Sequence, residues 1–133
     1  MGEFGRYVLR RTESGFSIHE KSGPLQRLLE LILGHPAEPK LRVARSETGP
    51  GGLRPETIAR VIVRKRVAHG AEAKSPFKRR WEVRLVDREE RELPAFFHLR
   101  YEAEAEALAN ALRAALSRLR TQRDEATTRA PLD

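Results

Sequence analysis

Apolar residues recur along this chain in two rhythms: every second position in several short runs, and every third or fourth in one long closing run. The closing run is the clearer. Between Tyr101 and Arg120, the residues Ala105, Leu108, Ala109, Leu112, Leu116 and Leu119 fall on one stripe at the 3.6-residue period, which predicts an amphipathic helix. Glu102, Glu104 and Glu106 sit near its start and Arg113, Arg118 and Arg120 near its end, the favourable sense for the helix dipole. No Ser, Thr, Asp or Asn stands ready to cap that start. From Thr121 the chain turns polar and closes on Ala-Pro-Leu-Asp, so residues 121–133 read as a disordered tail and residues 1–120 as one domain.

The short runs read as strands. Tyr7–Thr12 and Phe16–Lys21 flank Glu13-Ser14-Gly15, and Gly15 is expected to supply the positive φ of a hairpin turn. Alternation puts Phe16 and Ile18 on one face, joined by Tyr7 and Leu9. Pro24 then opens a short extra helix with Leu25, Leu28, Leu29 and Ile32 at helical spacing; Gly34 stops it, and Pro36 and Pro39 bar its continuation. This segment, Leu25–Leu33, is the greasiest in the chain and the only candidate for membrane insertion; its expected role is to cap one end of the core, and apolar surface left exposed there would point instead to a protein partner or self-association.

Leu41–Arg45 is a further strand, and Thr48-Gly-Pro-Gly-Gly-Leu53 is a flexible loop. In Ile58–Val67, Val61, Val63 and Val67 are expected to face inward and Arg60, Ile62, Arg64 and Arg66 outward. Ala68–Phe77 is a long turn. Beyond it, in Trp81–Asp87, Trp81, Val83 and Leu85 face inward and Arg80, Glu82 and Arg84 outward. The last strand, Glu92–Leu99, draws its bulk from Leu93, Phe96 and Leu99, and Pro94 marks an edge or a bulge in it.

Charge sharpens the pattern. Lys and Arg against Asp and Glu number 8 and 6 in residues 1–53, 11 and 4 in residues 54–88, and 7 and 9 in residues 89–133. The whole excess of +7 therefore belongs to the middle third. No stretch approaches the roughly 20 apolar residues of a membrane span. The N-terminus lacks the basic and apolar regions of a signal peptide, so the expected location is cytoplasmic, with the inner membrane face as an option. The absence of cysteine excludes disulfides and cysteine-based zinc sites.

Little in the chain suggests catalysis. His19, His35, His69 and His98 show no metal-binding spacing, and no metal or other cofactor is expected. Asp is confined to Asp87, Asp124 and Asp133, and no Ser lies in a nucleophile elbow. Thr48-Gly-Pro-Gly-Gly lacks the Gly-Lys-Ser/Thr ending of a phosphate loop. The surviving signal is cationic: Arg60, Arg64 and Arg66 on one strand, Arg80 and Arg84 on its neighbour, and Lys74, Lys78 and Arg79 around the turn. Such a face suits an acidic protein, an anionic lipid surface or nucleic acid. The competing explanation is a sheet edge charged to prevent aggregation. Phe77 and Trp81 alone interleave the cations, and Trp81 is expected in the core, so a base-stacking platform has thin support.

Pro55-Glu-Thr-Ile-Ala-Arg-Val-Ile-Val-Arg, Trp81-Glu-Val-Arg-Leu-Val-Asp, Glu92-Leu-Pro-Ala-Phe-Phe and Ala103-Glu-Ala-Glu-Ala-Leu-Ala-Asn-Ala-Leu follow one another in an order that resembles the C-terminal half of bacterial pleckstrin-homology-like domains. The resemblance covers Leu53–Leu119, about half of the chain. It implies an α+β fold of mostly antiparallel strands, a bent sheet or barrel closed by the C-terminal amphipathic helix through Leu108, Leu112 and Leu116. It also implies a module that binds rather than catalyses. The membrane-spanning helix pair common in such proteins is missing. The first hairpin turn holds no cation, so phosphoinositide binding carries over to no residue here.

Overall fold

The alternating runs become strands and the closing run a helix. The computed structural model describes residues 2–21, 24–34, 39–45, 52–67, 70–75 and 78–129. In chain order the elements are β1 (Gly2–Phe4), β2 (Tyr7–Arg11), β3 (Gly15–Glu20), α1 (Pro24–Leu33), β4 (Leu41–Ala44), β5 (Gly52–Leu53), β6 (Arg60–Lys65), β7 (Trp81–Val86), β8 (Glu92–Leu99) and α2 (Glu102–Arg129). Single 3₁₀ turns occupy Pro55–Thr57 and Gly70–Lys74. The chain is α+β, with mostly antiparallel sheets and a C-terminal helix.

The first sheet runs β1-β2-β3-β4-β5, antiparallel but for the two-residue parallel pairing of β5 with β4; the second runs β6-β7-β8, antiparallel throughout. Among the described residues no strand ladder joins the two, so the barrel expected from the resemblance is not closed. β5 is too short to carry the first sheet further, and the 3₁₀ turn at Pro55–Thr57 ends it before β6 begins. The sheets meet instead through side chains. Tyr7 in β2 sets its ring edge-on to Phe97 in β8, centroids 5.1 Å apart, and its hydroxyl oxygen accepts the backbone N–H of His98 at 3.1 Å.

The stripe of α2 completes the core. Ala105, Leu108, Ala109, Leu112, Leu116 and Leu119 are all buried, and α2 lies against β1 and β3 of one sheet and β6, β7 and β8 of the other. Its backbone continues to Arg129, beyond the end expected at Arg120, because no Gly or Pro occurs between Thr121 and Arg129. Arg113 donates to the carbonyl of Val61 at 2.7 Å and Arg120 to that of Ile58, so side chains from α2 cover carbonyls at the outer edge of β6.

Several expectations change in three dimensions. Gly15 does not adopt a positive φ; its role is close approach, since a Cβ there would lie 1.9 Å from the Val43 carbonyl oxygen in β4. Gly34 does take φ 68° as α1 ends. Gly52–Leu53, expected in a loop, pairs as β5, and the rest of that loop lies outside the described residues, as do Phe77, His35 and His69. Inward positions in β8 alternate without a break from Leu93 through Ala95 and Phe97 to Leu99, so Phe97 rather than Phe96 enters the core; the register shift between Arg84 and Val86 falls opposite the stretch that holds Pro94. Val67 lies beyond β6 and is exposed, and Trp81 is half-buried against the core rather than within it. The largest departure is α1. Its apolar residues do not cap the core: Leu25, Leu28, Leu29, Leu31, Ile32 and Leu33 are each at least half exposed.

Two substitutions test this packing. Leu112→Ala removes a fully buried side chain facing both sheets, and chemical denaturation should register a loss of about 2–5 kcal/mol. Gly15→Ala must push β3 away from β4, and the same measurement should show destabilisation although the hairpin φ is ordinary.

Candidate functional site: the charged face and end of the second sheet

The register of the second sheet lays residues in rows across its outer face. Arg64 stands opposite Glu82 and Glu82 opposite His98, while Ile62 stands opposite Arg84 and Arg84 opposite Phe96. A carboxylate therefore sits between the cations. Glu82 Oε1 accepts from Arg64 Nη2 and from Arg84 Nε, each at 2.8 Å, and Glu82 Oε2 lies 3.0 Å from His98 Nε2. Glu92 joins from β8, paired with Arg64 and 3.6 Å from Arg84 Nε, and Glu90 pairs with Arg60. The Arg84 guanidinium also donates to the Leu93 carbonyl at 3.0 Å and lies 5.0 Å from the centre of the Phe96 ring.

The eight candidate cations thus fall into two groups. Arg60, Arg64 and Arg84 hold carboxylates of the chain itself, which explains how cations on neighbouring strands stand together without repulsion. Arg66, Lys74, Lys78, Arg79 and Arg80 gather where β6 leaves the sheet and β7 enters it. Arg66 N–H donates to Arg80 O at 2.7 Å, Arg66 Nη1 to Arg79 O at 2.6 Å, and Lys78 Nζ to Ala73 O at 3.4 Å. Residues 65–80 hold six cations, Lys65 included, against one carboxylate, Glu72. Among the described side chains, no carboxylate lies within ion-pair distance of Lys65, Lys74, Lys78, Arg79 or Arg80. Anion-attracting charge is concentrated at this end of the sheet, not spread along the strand face.

Sequence alone overlooked Glu82, Glu90, Glu92 and His98 as partners, and Lys65 as a member of the end cluster. The available signal was Glu82 itself, which alternation already placed on the face of Arg80 and Arg84. Its burial was hidden, because it arises only when His98 and Arg64 close over it from both neighbouring strands.

Titration follows from this geometry. Burial raises the Glu82 carboxyl, but hydrogen bonds from Arg84, His98 and Arg64 outweigh it and hold the group below its ordinary 4.5. Burial lowers His98 beneath its ordinary 6.5; the bond to Glu82 opposes this, and the charges of Arg66 and Lys40 reinforce it. His98 is thus favoured neutral, with Nε2–H donating to Glu82. His19, within hydrogen-bond reach of Ser17 Oγ at 2.9 Å, is lowered by burial, then by Arg10 and Arg42. No group of three or more His, Cys, Asp or Glu among the described residues is placed to hold a metal ion.

Comparison of the chain with protein-family models, curated proteins and solved structures returns no match.

The pH dependence has one sign throughout. Below 6.5 the unfolded chain takes up protons that folded His98 and His19 resist, and below 4.5 it takes up one that folded Glu82 resists. Stability is therefore greatest above the ordinary histidine range and falls as pH drops. Denaturation of His98→Gln should show a shallower loss than the parent between neutral and mildly acid pH; an identical slope would exclude His98 as a contributor. Glu82→Gln removes the charge shared by two guanidinium groups, and denaturation at neutral pH should show a loss of about 1–2 kcal/mol.

Proposed function

We propose that this chain is a non-enzymatic, pleckstrin-homology-like binding module that docks on an anionic membrane surface through the cation-rich end of its second sheet. Support for the fold assignment comes from the element order: a larger sheet, a three-stranded antiparallel sheet, and a closing helix laid against both. The observation that carries the docking reading is the cluster of Lys65, Lys74, Lys78, Arg79 and Arg80, without carboxylate partners among the described side chains. Two cavities among the described residues, one bordered by Arg11, Arg45 and Arg118 and one by Arg60, Arg113 and Arg120, include none of these cations. An extended anionic surface matches such an arrangement better than a small ligand does, because it meets many separate charges at once. On this reading the chain works at the inner face of the membrane, on the cytoplasmic side.

Nucleic acid shares the same electrostatics and is the competing partner. Among the described residues, the one aromatic interleaved with these cations is Trp81, which is half-buried against the core, so stacking of bases has less support there than charge. An acidic protein is a third possible partner.

Co-sedimentation with vesicles of phosphatidylcholine, with and without phosphatidylglycerol, tests the proposal. Binding to the anionic vesicles alone, weakened by salt, is expected. Replacing Lys78, Arg79 and Arg80 together by Gln should weaken it on the order of a hundredfold at low salt, since each juxtamembrane cation contributes about 1 kcal/mol. Equal recovery in the supernatant with both vesicle types would overturn the reading. Tighter binding to mixed-sequence DNA than to anionic vesicles would transfer the site to nucleic acid.

A further inference from the structure

We infer that α1 is an interfacial insertion element, which sinks its apolar side chains into the headgroup–acyl boundary of an anionic membrane; this rests on the docking reading above. Six of the ten residues of α1 are large and apolar, and all six are exposed, Leu31 to 81%. Leu25, Leu28, Leu29 and Ile32 form a helical stripe of the kind that ordinarily packs on a core, yet here each is at least half exposed. A contiguous apolar surface of this sort marks a docking site on a folded protein.

The chain presents this helix as a finger. Ile18 in β3 stands opposite Leu41 in β4, and Lys40 N–H donates to Ile18 O at 2.8 Å, so the excursion containing α1 departs and returns at one point of the sheet. Lys21, whose Nζ pairs with Glu3 at 2.9 Å, and Lys40 mark its two feet, and both are exposed. Lys40 ties that foot to the charged side of the molecule: its Nζ lies 5.4 Å from the centre of the Tyr7 ring and 5.2 Å from that of Phe96 in β8. The charges of Lys40 and Arg66 both act on His98, and Arg66 bonds to Arg79 in the cationic end. The foot of the excursion at Lys40 therefore lies beside the charged face of the second sheet, where Arg84 approaches the same Phe96 ring.

Dimensions and charge select the occupant. Ten helical residues extend about 15 Å, half of what a bilayer crossing requires and suited to lying in the interface. A stable dimer needs about 800 Å² from each partner, far more than the face of one 15 Å helix supplies. A second copy would also bring Lys21, Lys40 and the end cluster against their own images. An anionic lipid surface satisfies both halves at once, taking the leucines below its headgroups and the lysines and arginines among them.

The test uses the whole chain with two variants. In Leu29→Trp, the indole at position 29 should shift to shorter emission wavelengths and be quenched by brominated acyl chains when vesicles containing phosphatidylglycerol are added, with Trp81 of the parent as reference. In the double variant Leu28→Glu and Ile32→Glu, denaturation should be unchanged because both side chains are exposed, while vesicle partitioning at high salt should fall by about tenfold per side chain. Salt-sensitive binding with no shift at position 29 and no effect of the double variant would overturn insertion and leave electrostatic docking standing. Absence of any vesicle binding would overturn both. A concentration-dependent dimer lost in the double variant would assign α1 to self-association instead.

Discussion

The apolar stripe of α2 is a surface that both sheets share. Neither sheet has a ladder to the other among the described residues, so their relative position depends on side chains packed between them. Leu108, Leu112 and Leu116 contribute to that bulk from the helix, and Tyr7 adds one directional contact through Phe97 and the His98 N–H. Apolar burial is non-directional and sets how strongly the layers adhere; the Tyr7 hydroxyl helps to fix where they meet. Arg113 and Arg120 extend the same dependence to β6, whose edge would otherwise offer unpaired carbonyls to another chain.

Glu82 plays the corresponding part on the outer face. A carboxylate buried on a three-stranded sheet is tolerable only with strong partners, and Arg64, Arg84 and His98 approach it from all three strands. Their arrangement converts a row of cations into a neutralised, hydrogen-bonded layer. The consequence reaches function: charge spent on internal carboxylates is withdrawn from long-range attraction, and the cations of residues 65–80 dominate what remains of the middle third's excess.

Concentrated charge at one end of the second sheet and the exposed apolar residues of α1 are features that composition does not announce. Charges act over roughly a Debye length, whereas apolar side chains act only on contact, so the two properties are complementary in range.

Local sequence by itself determined the strands from Tyr7 to Glu20 and from Arg60 to Leu99, the bulge at Pro94, and the buried stripe of α2, because periodicity records which face an element must bury. It also located the excess charge in the middle third. Tertiary structure alone decided the rest. Gly15 proved necessary for the approach of β4 rather than for a turn, since that contact joins residues distant in the chain. Phe97, not Phe96, lies in the core because it shares the inward face with Leu93, Ala95 and Leu99, and the packing of the sheet decides which face that is. Arg60, Arg64 and Arg84 found carboxylates through strand register, and the leucines of α1, indistinguishable by spacing from core residues, were left exposed because the core was already filled by α2. Periodicity specifies that a face is apolar; only the packing of all elements together decides whether the protein has anything to lay against it.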